Sequence, residues 1–292
     1  MKNNSETTNS GTLYICGTPI GNLNDASFRL IETLKKADLI ISEDTRTTKK
    51  LLFRYEIKSA KVESYHDNTE EKKVNEIIKK LESGLNIAMV SESGMPLISD
   101  PGFKIVKICQ EKGINLTVIP GPNAAISALV LSGLPVDNFL FIGFLPKTGI
   151  KIRKKLEELK TFPYTMIFYE SPNRIEELLE ILKEVFGERQ ICLARELTKI
   201  YEECIRGSIS EVIQILKERS RKGSKIKGEI VLCVSGLNIK KTEGFDESVI
   251  KSELSSLIKQ GLNKKDIFKI IMNKYKINRH DLYNIFIKLN KF

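Results

Sequence analysis

The chain has 292 residues, 41% of them hydrophobic, which is long enough for two packed α/β cores and has the composition of a globular protein. Lys and Arg total 47 against 37 for Asp and Glu, a formal +10 that favours a polyanionic partner, although a chain so rich in Lys, Ile and Asn can also carry that charge as a plain solvated surface. The five cysteines form no C-x-x-C pair, the two histidines stand in no cluster of ligands, the polar start lacks an apolar leader core, and no apolar run reaches spanning length. These features point away from a disulfide scaffold, a metal site, export and a membrane, and toward a cytoplasmic protein.

Residues 1–11 are polar and are expected to be disordered. Leu13 to Cys16, Leu39 to Ile41, Ile87 to Val90 and Leu116 to Ile119 then read as buried strands. Between them Phe28 to Leu34, Val74 to Leu81, Ile105 to Ile108 and Ile126 to Leu131 carry the three-to-four spacing of helices. The alternation predicts βαβ units on a parallel sheet, in a first α/β domain over 12–134 that ends at the Ser132-Gly133-Leu134-Pro135 break. A second α/β domain over 135–237 follows, with strands at Phe139 to Ile142, Met166 to Tyr169, Ile191 to Ala194 and Ile230 to Val234, and helices at Ile175 to Val185 and Val212 to Leu216. A charged linker runs to about Gly244, and three short amphipathic helices over 245–292 suit a helix-turn-helix-like, RNA-binding-like tail. In the last of these, Asn278 followed by Asp281 makes a helix start, and Leu282, Ile285, Phe286 and Leu289 share one face.

Ligands of open parallel sheets collect beyond the carboxyl ends of the strands, so the loops there carry the functional signal. After the first strand comes Gly17-Thr18-Pro19-Ile20-Gly21-Asn22-Leu23, a tight turn that brings backbone close to a ligand. After the second comes Glu43-Asp44-Thr45-Arg46, and after the third the long loop from Ser91 to Gly102 with acids at Glu92 and Asp100. The fourth is followed by Pro120-Gly121-Pro122-Asn123, which opens a helix. Any one of these could be turn chemistry; four at one sheet edge predict a cleft. None is a dinucleotide or phosphate-loop fingerprint, so the residues alone point to a non-standard, nucleotide-like ligand.

Thr18-Pro19-Ile20-Gly21-Asn22-Leu23, Glu43-Asp44-Thr45-Arg46, Ser99-Asp100-Pro101-Gly102, Pro120-Gly121-Pro122-Asn123-Ala124, Gly143-Phe144-Leu145-Pro146, Tyr169-Glu170-Ser171-Pro172 and Ala194-Arg195-Glu196-Leu197-Thr198-Lys199 occur in this order. Together they resemble the motif set of the ribosomal RNA small subunit methyltransferase I family, within the tetrapyrrole-methylase superfamily. The resemblance implies a tetrapyrrole-methylase-like fold, with S-adenosylmethionine between two α/β domains and a homodimer as the working unit. It further implies transfer of a methyl group to the 2′-hydroxyl of a cytidine in the decoding region of 16S rRNA, with the small ribosomal subunit as partner. One departure stands out: members usually read Ser-Asp-Ala-Gly-Thr-Pro where this chain has Ser91-Glu92-Ser93-Gly94-Met95-Pro96. Glycine and proline are kept, so the turn is expected to survive.

On this reading the cofactor is expected on Pro19, Gly21, Gly94, Pro96, Ile98, Asp100, Pro120, Gly121 and Asn123, and on Tyr169 and Glu170 of the second domain. Methyl transfer also needs somewhere for the hydroxyl proton to go. Asp44 is the preferred acceptor with Glu43 beside it, Arg46 holds a neighbouring phosphate, and Glu196 with Lys199 is the second choice. Some have a simpler alternative: Asp100 as a turn former before proline, Glu196 and Arg195 as an interdomain ion pair, and Asn123 as a helix cap; His66, in a Tyr65-His66-Asp67-Asn68 segment that also resembles the family, reads as a hydrogen-bonded loop residue rather than a base. Basic clusters at Lys147 to Lys155, Arg219 to Lys227 and Lys264 to Arg279 are solvated faces or phosphate contacts, and no aromatic stacking platform is evident. Other functions open to the sequence are methylation of a tetrapyrrole or of a protein side chain on the same fold, and RNA binding without catalysis.

Overall fold

Short runs rich in Ile, Leu and Val build the first sheet from β1 (Thr12–Cys16), β2 (Leu39–Ser42), β3 (Lys61–Ser64), β4 (Ile87–Val90) and β5 (Asn115–Ile119). All are parallel, in the order β3-β2-β4-β1-β5. β2 and β4 are buried at every position because helices cover both faces. Successive side chains point to opposite faces. Leu13, Ile41, Ile87 and Met89 therefore pack with Val74, Ile77 and Leu81 of α3 (Glu71–Glu82) and Ile105 of α4 (Phe103–Glu111). Cys16, Ile40 and Ala88 pack on the other side with Leu30 and Leu34 of α1 (Phe28–Lys36) and Leu51 and Leu52 of α2 (Thr45–Arg54). The computed structural model describes residues 10–58, 61–66, 71–237, 247–275, 277 and 279–289.

The second sheet joins β6 (Phe139–Phe144), β7 (Thr165–Glu170), β8 (Gln190–Arg195), β9 (Glu203–Ser208) and β10 (Ile230–Val234) in the order β6-β7-β10-β8-β9. Here β6 and β7 are parallel, whereas β7/β10, β10/β8 and β8/β9 are antiparallel. One face is covered by α6 (Gly149–Leu159), α7 (Ile175–Phe186) and α8 (Ile209–Arg221). A capping box, Ser208 with Glu211, starts α8.

The other face is covered by a helix that the chain builds out of the first sheet. α5 (Ala124–Ser132) follows β5 and ends at Gly133 in the left-handed conformation, φ 75. Its Ala125, Ala128 and Leu129 pack with Ile20 of the first half against Ile167, Cys192, Ala194, Val231 and Cys233 of the second sheet. Small side chains at 124, 125 and 128 let the helix lie close to the strands. The described residues up to Leu237 accordingly form one compact unit, and those from Asn238 a second.

In that second unit α9 (Glu247–Lys259), α10 (Lys264–Tyr275) and α11 (Arg279–Leu289) close on Ile250, Leu254, Ile267, Ile271 and Leu282, with Ile285, Phe286 and Leu289 packed against them. The Lys264 ammonium lies 4.6 and 4.7 Å from the Tyr283 and Phe286 ring centres, a cation–π contact that ties α10 to α11. Residues 1–9 of the expected disordered start, the linker 238–246, Asn278 of the expected helix start, and Asp67 and Asn68 beside His66 lie outside the described residues. Among those described, no helix is long and apolar enough to cross a membrane, and no group of His, Cys, Asp and Glu could hold a metal ion.

Ala128, on the face of α5 that packs against the second sheet, is fully buried. Ala128→Leu should overpack this contact and lower stability by about 1–3 kcal/mol, read as a lower thermal midpoint. A variant as stable as the parent would show that α5 does not lie as close to the sheet as described.

Candidate active site

Three loops of the first sheet are interlocked at its carboxyl edge. Gly17 N–H donates to the Ile119 carbonyl (2.9 Å), and Thr18 and Gly94 exchange backbone hydrogen bonds at 2.8 and 3.2 Å as an isolated antiparallel bridge. Ser91 Oγ donates to the Gly94 carbonyl (3.0 Å), and Gly94 has φ +82. Gly17 and Gly121 touch backbone to backbone, and a Cβ on Gly121 would lie 2.6 Å from the Gly17 oxygen. Met95 Sδ fills the space beside Gly17, so the loop that departs from the family pattern keeps its turn and uses the thioether as packing.

A fourth loop arrives from the second sheet. Thr198 Oγ1 accepts from Asn22 N–H (3.1 Å), and a Cβ on Gly21 would meet Lys199 Cγ at 2.5 Å. Of the five non-glycine residues with positive φ among those described, Leu97 (φ 71), Ser99 (φ 68), Glu196 (φ 50) and Thr198 (φ 65) all sit in these loops. Strain of this kind persists only where surroundings over-determine it, and it clusters at ligand sites.

The loops enclose a cleft of about 440 Å³ within the first unit, of the size of a small-molecule site. Apolar walls come from Ile20, Met95, Ile98 and Val231, and aromatic ones from Tyr169 and Phe144, whose rings meet edge to face at 5.5 Å. Glu43, Glu92, Asp100, Glu170 and Glu229 place carboxylates around it. Of the expected cofactor residues, Gly94, Ile98, Asp100, Asn123, Tyr169 and Glu170 line the cleft. Pro19, Gly21, Pro96, Pro120 and Gly121 are not in the lining; they shape the loops behind it. Asn123 does cap α5, accepting from Ile126 N–H at 3.0 Å. His66 pairs with Ser64 Oγ at 2.8 Å and is not in the lining.

The expected catalytic residues separate. Glu43 lines the cleft, while Asp44 is the N-cap of α2, accepting from Arg46 N–H at 2.7 Å and pairing with the Arg46 guanidinium at 2.9 Å. These Arg46 hydrogen bonds bring the Asp44 pKa from 3.8 down to about 2, which makes it a weak proton acceptor, and they occupy Arg46 as well. Lys199 bridges Glu196 (2.9 Å) and Glu229 (3.0 Å). Burial would lower the Lys199 pKa, but the two carboxylates outweigh it and raise it. Burial would likewise raise the Glu196 pKa, but Lys199 and the Glu229 N–H outweigh it and lower it. The three side chains form a charged strut across the loops.

Residues 228–231 at the start of β10 also line the cleft, and strand-end reasoning overlooks them. β10 runs antiparallel to β7, so its beginning lies at the edge where β7 ends. A Gly-Glu pair ahead of an apolar run was the one available signal.

Residues 12–213 match the family described as Tetrapyrrole (Corrin/Porphyrin) Methylases. The chain is 43% identical over 282 residues to the ribosomal RNA small subunit methyltransferase I of Halalkalibacterium halodurans and 42% identical over 280 residues to that of Bacillus subtilis, with 94% of each chain covered in both cases. This chain belongs to the tetrapyrrole methylase family, in its ribosomal RNA small subunit methyltransferase I group. Among solved structures, that of diphthine synthase shares the fold at a TM-score of 0.57 and 12% identity, covering 77% of this chain and 90% of that one.

Members of the family are methyltransferases that use S-adenosylmethionine, and the cleft suits that cofactor. Glu170 is 3% exposed; one carboxylate oxygen accepts from Ser171 N–H at 2.8 Å, whereas Oε2 is ion-paired with Arg174 at 3.3 Å and accepts no hydrogen bond among the described residues. An unsatisfied buried acceptor costs about 1–3 kcal/mol. A ligand carrying N–H and O–H donors would relieve it, and the ring of acids favours a sulfonium cation. Burial raises the Tyr169 pKa and outweighs a backbone hydrogen bond with Ala125 that lowers it; the charges of Asp100 and Glu229 add to the rise, so the hydroxyl stays protonated.

Because Asp44 acts as a cap, Asp44→Asn should keep methyl transfer near the parental rate, since an amide oxygen also caps. Asp44→Ala should lower stability by about 1 kcal/mol in denaturant melts. A collapse of turnover in Asp44→Asn at unchanged stability would return this carboxylate to the chemistry.

Proposed function

We propose that this chain methylates the ribose 2′-hydroxyl of a cytidine in the decoding region of 16S rRNA, working in the cytoplasm on the small ribosomal subunit. What carries the reading is the 43% identity to a ribosomal RNA small subunit methyltransferase I over 94% of both chains, an extent that spans both sheets and their cleft loops and cannot omit the 48 residues of the tail. A methyltransferase for a tetrapyrrole or a protein side chain would have no use for such a tail. An RNA-binding protein without catalysis would not need the strained loops. A homodimer is supported by α5, whose Ile126, Val130 and Leu131 are exposed on a helix that is apolar all round.

S-adenosylmethionine supplies, when bound, a methyl group on an electrophilic sulfonium. Gly94, Ile98, Asp100, Asn123, Tyr169 and Glu170 would hold it, with the Glu170 carboxylate accepting from its donors. Ile20, Met95 and Val231 exclude water from the cleft. Glu43 accepts the 2′-hydroxyl proton, the role its neighbour Asp44 is too strongly paired to fill. The Glu196–Lys199–Glu229 strut keeps the 196–199 loop against the Gly21 turn while the nucleotide enters.

The purified protein should bind S-adenosylmethionine in the presence of a chelator, with heat in calorimetry and a raised melting temperature. Glu43→Gln should reduce turnover roughly 10²-fold or more while cofactor affinity stays nearly constant. Absence of the cytidine 2′-O-methyl mark only in cells lacking the protein is the expected result of mapping 16S rRNA. Full methylation without the protein would end this assignment.

The tail is proposed as an RNA anchor. Deleting residues 245–292 should weaken RNA binding and flatten its salt dependence while cofactor affinity is kept. Loss of cofactor binding with the deletion would make the tail part of the core instead.

A further inference from the structure

A second groove of about 420 Å³ opens beside the cleft, and Gly228 borders both. Its walls are the loop between α8 and β10, carrying Lys222, Lys225 and Lys227, and the loop between β8 and β9, carrying Tyr201. All three lysines are exposed, and none of them has an ion-pair partner among the described residues. The one acid lining this groove, Glu196, is already held by Lys199 at 2.9 Å. The groove therefore presents three uncompensated positive charges in a chain where many surface lysines are paired.

The lysine loop is held in place rather than draped over the surface. Arg195 donates through Nη1 to the Lys227 carbonyl (3.0 Å), and its Nε donates to Glu203 (2.8 Å), which Arg219 also grips. Gly228 takes φ +91 at the point where the loop meets the cleft. On the opposite wall Tyr201 is 72% exposed, although a tyrosine ring in a tight turn could have packed inward. An exposed ring beside a row of unpaired cations has the composition of a single-strand nucleic-acid groove, in which cations follow the backbone and a ring stacks on a base.

We infer that this groove carries the RNA strand next to the methylated nucleotide, with Lys222, Lys225 and Lys227 on its phosphates and the Tyr201 ring stacked on an unpaired flanking base. The inference rests on the rRNA methyltransferase reading and deepens it, because it names the surface that delivers the target to the cleft. It supplies the stacking platform that the sequence did not reveal. The lysines position the strand without regard to sequence, and Tyr201 selects for a base that is splayed out rather than paired.

The test uses the full chain and a transcript of the decoding region of 16S rRNA, with binding measured across a salt series and S-adenosylmethionine affinity measured in parallel. In the combined variant Lys222→Ala, Lys225→Ala, Lys227→Ala, the slope of log Kd against log salt should shrink by roughly 2, three contacts at about 0.7 each. Tyr201→Ala should weaken RNA binding roughly fivefold or more at an unchanged salt slope, and Tyr201→Phe should restore it, because stacking needs the ring and not the hydroxyl. Cofactor affinity should be the same in all variants, which separates these effects from misfolding. Parental affinity and slope in the lysine and Tyr201→Ala variants would overturn the groove and leave the methyltransferase reading intact, provided the parent methylates. A parent that binds no cofactor and methylates nothing would instead overturn that reading. If Tyr201→Ala turns a dimer into a monomer with RNA affinity per chain unchanged, then Tyr201 with the exposed Ile200 beside it covers a second copy, and the stacking role is overturned.

Discussion

The packing of α5 against the second sheet is the contact on which the rest of the first unit depends. The helix starts at Asn123, in a loop that touches the cleft, and its alanines lie on β7, β8 and β10. The first sheet's last crossover helix is thus the second sheet's missing layer. Two sheets that share a helix in this way hold their loop edges in a set relation, and a cleft between those edges needs that to keep its shape. Ala125 and Ala128 are what permit it, since a larger side chain would move the helix away from the strands and the Asn123 turn with it.

The loops then lock to one another at positions where no side chain fits. Gly17 against Gly121 and Gly94 bridged to Thr18 are close approaches of backbone, Gly21 leaves room for the Lys199 side chain, and each joins segments far apart in the chain. Leu97, Ser99, Glu196 and Thr198 pay for this with left-handed backbone, and the Glu196–Lys199–Glu229 bridge holds the last two in place. The result is a cleft ringed by carboxylates, suited to a cationic ligand, beside a groove of unpaired lysines suited to a polyanion. The reacting partners of a sulfonium-dependent RNA methyltransferase differ in charge in the same way, and the protein separates the two fields by one glycine, Gly228, and the Glu196 carboxylate that Lys199 neutralises.

Asp44 shows how two roles compete for one residue type. An acid directly after a strand and before a helix is both a cleft-facing candidate and the best possible helix cap, and nothing in four consecutive residues distinguishes them. Chain direction distinguishes them here: Glu43 still faces the cleft, and one residue later Asp44 has turned to meet the α2 amides and Arg46. The strands missed in the sequence have a similar explanation. β3 is an edge strand with exposed ends and few apolar residues, and β9 carries Glu203, Arg206 and Gly207, so neither shows the periodicity of a buried strand.

The sequence by itself determined the βαβ alternation of the first half, the loop cluster at its sheet edge, the family and its cofactor, and the apolar face of the last tail helix. These are local patterns or ordered motifs, and both survive in one dimension. Tertiary structure alone decided the antiparallel placement of β8, β9 and β10, which brings residues 228–231 to the cleft, and the transfer of α5 to the second sheet. It also decided the pairing of Asp44 and Lys199 with their neighbours and the meeting of Tyr201 with Lys222, Lys225 and Lys227. Each of these depends on which face or edge a segment meets after the chain has turned back on itself. Strand direction and side-chain partners are properties of contacts between distant residues, and no spacing along one chain encodes them.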